Sequence, residues 1–273
     1  MTNDRQRRAW MEGHLEWAAH QFGVTPAGEA IHTTRLHSVG IKVRDGGEDA
    51  WLRVVYDDPD WGEGDYLAGN LAANDIAGVP KPHVTRWKQW DDCGRRMRGE
   101  VSTFVPAAPL STGMVLVDEV DLPDPWITRL RGAVDAIANH PLPPRGMDQD
   151  DVNHGILAFF DVTVDFAAVE WTTAHSDLHW GNVTAPDLFI LDWETWGRAP
   201  AGYDAATLHC TSLLHPTTAR RIHRAFSDVL DTHSGRVAAL AAAVRFLRFI
   251  DGGEYLPLAR PLRQHARQVI DRL

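Results

Sequence analysis

Residues 175–182 read His175-Ser176-Asp177-Leu178-His179-Trp180-Gly181-Asn182, and ten positions after Asn182 comes Asp192, inside Ile190-Leu191-Asp192-Trp193-Glu194. This is H-x-D-x-x-x-x-N followed by a hydrophobic strand that ends in Asp. The pattern sets out the polar groups that metal-assisted phosphoryl transfer needs. Asp177 can orient an attacking hydroxyl and accept its proton. Asn182 offers a neutral hard oxygen and Asp192 a carboxylate, both suited to magnesium held against a nucleotide's phosphates. The bland readings are a loop carboxylate that caps a turn, a turn Asn and a strand-end Asp; their occurrence together favours the chemistry. His175, Asp177 and His179 also form H-x-D-x-H, a zinc-type spacing. That reading has no cysteine or third-histidine cluster beside it in sequence, and it leaves Asn182 and Asp192 unexplained. His175 is therefore expected to brace the loop, and His179 to pack or to contact substrate.

Several elements must hold these residues. Residues 6–21 carry Trp10, His14, Trp17 and Ala18 at helical spacing. Ile41–Arg44 and Ala50–Val55 read as strands around Asp45-Gly46-Gly47, a hairpin-type turn. Residues 63–77 read as a helix closed by Gly78 and Pro80, and residues 84–90 and 96–105 as two more strands. Pro106-Ala107-Ala108-Pro109 reads as a stiff connector. Beyond it come helices over 126–139 and most of 150–171, and a hairpin of Val183-Thr184 and Leu188–Leu191 turning at Pro186-Asp187. Further helices are expected over 203–214, 217–231, 235–250 and 258–272. The expected domains are 1–105, a sheet with one inserted helix, and 106–273, mainly helical.

The chain has 273 residues, 44% hydrophobic and 23% charged, an ordinary globular balance. No apolar run is long enough for a membrane span, and no apolar stretch follows the polar residues 1–8 as a secretion signal would. The two cysteines, Cys93 and Cys210, lie far apart and are read as free buried thiols of a reducing cytoplasm. The net charge of −10 disfavours a nucleic-acid partner. An acidic surface suits a cationic small molecule and equally suits solubility.

The motif loop and hairpin resemble those of the aminoglycoside phosphotransferase and choline kinase-like family. The resemblance rests on His175-x-Asp177-x-x-x-x-Asn182, on Leu191-Asp192-Trp193-Glu194 and on Pro200-x-x-Tyr203-Asp204. It implies an α+β, two-lobed protein kinase-like fold with an N-terminal antiparallel sheet lobe and a mainly helical C-terminal lobe. It also implies a magnesium-dependent phosphotransferase that moves the γ-phosphate of ATP, or GTP, to a hydroxyl of an aminoglycoside-like or other small acceptor, as antibiotic-resistance kinases do. Asp177 would be the catalytic base, Asn182 and Asp192 the metal ligands, and Asp204 a brace of the catalytic loop.

The first lobe departs from the kinase pattern. Arg53 stands where kinases place the lysine that holds the nucleotide's phosphates, and the two cations are not interchangeable. Glu63, or else Asp65, would supply its acidic partner. No G-x-G-x-x-G precedes the strand; residues 33–43 contain only Gly40, and Lys42 is a spare cation. Lobe order puts the adenine-facing backbone in residues 100–105, at Thr103 and Val105. The chain has 11 tryptophans, and Trp180 and Trp193 flank the motif loops. Packing is their commoner use. The acidic stretches Asp148–Asp151 and Asp161–Asp165 read as pocket lining or as caps. Two other functions stay open: a kinase-like nucleotide-binding protein without turnover, and a kinase for a peptide Ser/Thr.

Overall fold

A computed structural model describes residues 4–33, 35–57 and 66–273. The chain divides into one unit of Met1–Asn74 and Lys81–Pro106, and another of Asp75–Pro80 and Ala107–Leu273.

The first unit is a sheet covered on one face by a helix. Helix α1 (Asp4–Phe22) precedes β1 (Thr25–Pro26), β2 (Ile31–His32), β3 (Ser38–Asp45), β4 (Glu48–Tyr56), β5 (Val84–Asp92) and β6 (Arg95–Thr103). The sheet is antiparallel, in the order β1-β3-β4-β6-β5, with β2 also paired to β3. Asp45 pairs with Glu48 across the two-residue turn Gly46-Gly47, whose φ values of 59° and 99° explain the glycines. Alternation along β4 sends Leu52 and Val54 into a core with Met11, Leu15, Ala18 and Ala19 of α1. Arg53 therefore points to the opposite face, opposite Gly40 of β3 and Glu100 of β6.

The expected helical face of α1 is rotated. Met11, Leu15, Ala18 and Ala19 are its buried residues, while Trp17 is exposed. Trp10 and His14 meet Asp92 through their ring nitrogens, at 2.7 and 3.1 Å, so their polar edges decide their place. The helix expected over 63–77 is, in its described part, one turn of α-helix, α2 (Gly69–Ala72), between 3-10 turns at Tyr66–Ala68 and Ala73–Asp75.

The second unit is mainly helical: α3 (Asp124–Ala138), α4 (Gln149–Phe160), α5 (Tyr203–Thr211), α6 (Pro216–Ala225), α7 (Ser227–Leu230), α8 (His233–Asp251) and α9 (Ala259–Ile270). Four short strands pair within it. β7 (Ala108–Pro109) pairs with β9 (Thr184–Ala185), and all of the expected connector but Pro106 belongs to the second unit. β8 (Trp171–Ala174) pairs antiparallel with β10 (Gly197–Pro200). The helix expected over 150–171 stops at Phe160, because Asp161 turns into the left-handed region at φ 55°. The run expected over 217–231 breaks at Phe226, whose ring is buried between α6 and α7. Among the described residues, no helix is long and apolar enough to cross a membrane.

The two thiols differ. Cys210 is buried, and burial pushes its thiol up to about 12, whereas Cys93 sits exposed in the β5–β6 turn. The expectation of two buried thiols fails at Cys93, because a two-residue hairpin turn leaves no cover.

Candidate active site

The motif loop is built from both ends. Strand β8 delivers the chain to His175, and its pairing of Ala174 with Gly197 fixes the strand end. Ser176 then turns with φ 66°. Asp204, in the first turn of α5, reaches back across the turn: Oδ2 accepts the His175 backbone N–H at 2.7 Å and Oδ1 accepts that of Ser176 at 2.9 Å. Burial pushes the Asp204 carboxyl up to about 7, and the two backbone donors work against that rise.

His175 is buried, and every polar contact of its ring is internal. Its Nε2 donates to the Leu191 carbonyl at 2.9 Å and its Nδ1 accepts the Asp177 backbone N–H at 3.3 Å, which assigns the tautomer. The ring meets Trp193 edge-on at 4.6 Å, and burial pushes the imidazole down to about 4. His175 thus ties the motif loop to the segment that carries Asp192.

Asp177 is held on both carboxylate oxygens. Oδ1 accepts from Arg245 Nη2 of α8 and has His179 Nε2 at 3.5 Å; Oδ2 has Asn182 Nδ2 at 3.4 Å. Arg245 Nη1 also donates to the Ser176 carbonyl at 2.9 Å. Burial alone would push the Asp177 carboxyl up, but the Arg245 guanidinium and His179 hold it well below the usual carboxylate range. Tyr203 is buried beside the pair; burial raises its hydroxyl's pKa and the Arg245 guanidinium works against that rise.

Asn182 points its amide nitrogen at Asp177, donating to the Asp177 carbonyl at 2.9 Å. This leaves the side-chain carbonyl oxygen of Asn182 as a hard donor for a ligand. The Leu191 N–H donates to the Asn182 carbonyl at 2.8 Å, which places Asp192 next along the chain, exposed and at φ 60°. Oxygen donors such as the Asn182 side-chain carbonyl and the Asp192 carboxylate suit magnesium or calcium and not zinc. The two histidines spend their Nδ1 atoms on backbone N–H groups, His179 accepting from Gly181 at 3.1 Å. Among the described residues, no group of three His, Cys, Asp or Glu is arranged to hold a metal.

The other expected residues fall as follows. Arg53 is half-buried on the face of the first unit away from α1. Glu63 and Asp65 lie outside the described residues. The Thr103 N–H donates to the His83 carbonyl at 2.9 Å and its hydroxyl accepts the His83 N–H at 2.9 Å, so that donor is spent within its own unit. Val105 is half-buried just beyond β6. Lys42 is no spare cation: it pairs with Asp49 at 2.8 Å and lies 4.6 Å over the Phe104 ring. Trp180 and Trp193 are packing residues, both buried, with indole N–H groups bonded to Ser212 Oγ at 2.9 Å and the Ile190 carbonyl at 2.8 Å. Asp148 and Asp165 act as helix caps.

Sequence reasoning missed Arg245 and Tyr203. A signal existed for Arg245: it stands between Ala242-Ala243-Val244 and Phe246-Leu247, all buried in α8. A lone charge inside such a run needs a partner.

No family model matches the chain, and no curated protein matches it in sequence. The fold is shared with solved structures along nearly the whole chain. The amicoumacin kinase hAmiN, in complex with AMP-PNP, Ca2+ and Ami, aligns with a TM-score of 0.62 at 12% identity, over 98% of this chain and 96% of that one. A thermostable mutant of the aminoglycoside phosphotransferase APH(4)-Ia, in ternary complex with ADP and hygromycin B, aligns with a TM-score of 0.59 at 15% identity, over 94% and 98%. The spectinomycin phosphotransferase APH(9)-Ia, with ADP and spectinomycin, aligns with a TM-score of 0.56 at 12% identity, over 93% of each chain.

Proposed function

We propose that the protein is a divalent-metal-dependent small-molecule kinase that transfers the γ-phosphate of ATP or GTP to an acceptor hydroxyl. The observation that carries this reading is the arrangement of Asp177, Asn182 and Asp192. An ionised carboxylate stands on a doubly anchored loop, and two hard oxygen donors are tied to that loop by the Leu191 N–H and the His175 ring. Solved proteins of the same fold hold ADP or AMP-PNP, one of them with Ca2+.

In this reading the acceptor hydroxyl donates its hydrogen bond to Asp177. The acceptor oxygen forms a bond to the γ-phosphorus as the bond from that phosphorus to the β–γ bridging oxygen breaks. The hydroxyl proton passes to Asp177, and the nucleoside diphosphate leaves. The transition state is loose, so Asp177 contributes orientation more than basicity. Asn182 and Asp192 would hold the divalent cation, whose chemistry is to neutralise charge on the phosphate oxygens. Asp204 and His175 keep Asp177 in place.

The test is an ATP-consumption and product-mass screen against aminoglycosides, amino alcohols, sugars, hydroxy acids and short Ser/Thr peptides. A phosphorylated product 80 Da heavier, formed with stoichiometric ADP, is the expected result. A second reading, nucleotide binding without turnover, is favoured by Arg53 in the lysine position and by the hold of Arg245 on Asp177. A thermal shift with Mg-ATP but no product across the whole screen would establish it.

A further inference from the structure

Arg245 is the charged group at the site that the reaction above leaves without a task. It comes from α8, which runs Ala241-Ala242-Ala243-Val244 into Arg245 and buries the residues on both sides. Its guanidinium spans the turn of the motif loop, with Nη2 on Asp177 Oδ1 and Nη1 on the Ser176 carbonyl at 2.9 Å. The pair is not sealed: 26% of the Arg245 side chain and 17% of the Asp177 side chain face solvent. A molecule that reaches Asp177 therefore reaches Arg245 as well.

We propose that Arg245 selects the acceptor, favouring a hydroxyl flanked by an anionic group, a carboxylate or a phosphate, over one flanked by an ammonium. The proposal rests on the phosphotransfer reading above and names its acceptor class. Three observations carry it. First, the charge of Asp177 is matched by the guanidinium on Oδ1, so this carboxylate has little unmatched charge to draw an ammonium. The whole-chain charge of −10 says nothing about this point: in the phosphotransfer reading Asp192 would be engaged by the divalent cation, and burial pushes the Asp204 carboxyl up to about 7. Second, an acceptor hydroxyl must come within hydrogen-bond reach of Asp177, which puts a substituent on the adjacent carbon within a few ångströms of Arg245. At that range a like charge is repelled, and an anion can share the guanidinium's fork of donors. Third, the neighbouring groups do not reverse the sign. Tyr255, whose hydroxyl senses both Arg245 and Asp177, is a neutral donor. Glu254, the acid next to Tyr255, is exposed and screened by water. Discrimination of this kind comes as much from repelling the wrong acceptor as from holding the right one.

The experiment compares wild type, Arg245→Lys and Arg245→Gln for phosphate transfer from Mg-ATP to two matched triads: glycerate, glycerol and serinol; and gluconate, sorbitol and glucamine. Hygromycin B is included as a polycationic acceptor, and product mass gives kcat/KM. Wild type should favour the acid of each triad over its amine by at least about tenfold. Arg245→Lys should keep that order, and Arg245→Gln should shrink the ratio to about threefold or less. A purely structural role would lower all the rates and leave the ratio unchanged, which would overturn the proposal. So would a wild type that prefers serinol, glucamine or hygromycin B; the kinase reading would then stand. A wild type that transfers phosphate to none of these and to nothing in the broader screen sinks both. The wild-type order decides the sign even if Arg245→Gln fails to fold.

Discussion

Asp204 Oδ2 accepts the backbone N–H of His175 at 2.7 Å across 29 residues of sequence. Its other oxygen takes the Ser176 N–H at 2.9 Å. The first turn of α5 thus anchors the backbone where the motif loop begins, and side chains of the loop hold the rest. Asp204→Asn leaves one of these N–H groups facing an amide NH2. It should cost about 1–3 kcal/mol, speed hydrogen exchange at the His175 and Ser176 amides, and lower turnover with little change in nucleotide affinity. Unchanged exchange at those two amides would show that Asp204 is not the anchor.

Asn182 and Asp192 should act on metal dependence together. EDTA should abolish phosphate transfer, and Mg2+ or Mn2+ should restore it. Asp192→Asn should raise the Mg2+ concentration for half-maximal rate by at least about tenfold, read in a metal titration at saturating ATP. An unaltered metal titration would place the cation elsewhere.

Gly40 should resist a side chain. A Cβ added there would lie 2.4 Å from the Trp51 ring, which packs over the glycine from the neighbouring strand. Gly40→Ala should destabilise the first unit by about 1–3 kcal/mol, visible as an earlier thermal transition. Gly13→Ala, where a Cβ meets nothing within 4 Å, is the control and should leave that transition unchanged or raised.

The chain should lose stability in acid through a histidine cluster drawn from α5, α6 and α9. His209 lies 4.6 Å from His265 and 5.6 Å from His223, ring centre to ring centre. Burial pushes His209 down to about 3 and His265 to about 4. Unfolded, both take up a proton near the ordinary value of about 6.5. The unfolded chain therefore binds more protons between about pH 6.5 and 4, and stability falls as pH falls through that window. Asp204 works in the opposite sense between about pH 7 and 4, since its raised pKa makes the folded chain the better proton binder there. Three buried histidines, since the His175 imidazole is also down at about 4, against one carboxyl leave a net loss in acid. His265→Phe should flatten the fall in melting temperature between pH 7 and 5; an equally steep fall would exclude the cluster as its source.

The arrangement of the motif loop was legible wherever it is local in sequence. Asp177, Asn182 and Asp192 sit within one loop and the segment after it, so spacing alone brought them together. Gly46-Gly47 announced its hairpin because both positions need positive φ. Arg245 was not legible as a partner of Asp177, since 68 residues separate them and only tertiary packing of α8 closes the distance. β10 was missed because Gly197-Arg198-Ala199-Pro200 lacks the alternation that marks a strand; its pairing with β8 makes it one. In α1 the aromatic residues drew the expected face toward themselves, while the small residues Ala18 and Ala19, with Met11 and Leu15, make the contact with the sheet. The acidic whole-chain charge suited a cationic small molecule and equally suited solubility, so it did not name the acceptor.

The central claim, that Asp177 receives the acceptor's hydroxyl in a metal-dependent phosphoryl transfer, is tested most directly by Asp177→Asn. The variant keeps the side chain's size and its place beside Arg245 and Asn182 but cannot take a proton. ATP-dependent phosphorylation of the best acceptor is measured beside Mg-ATP affinity and melting temperature. The account predicts a loss of turnover of about a hundredfold or more, with nucleotide affinity and fold largely intact. Turnover equal to that of wild type would contradict it.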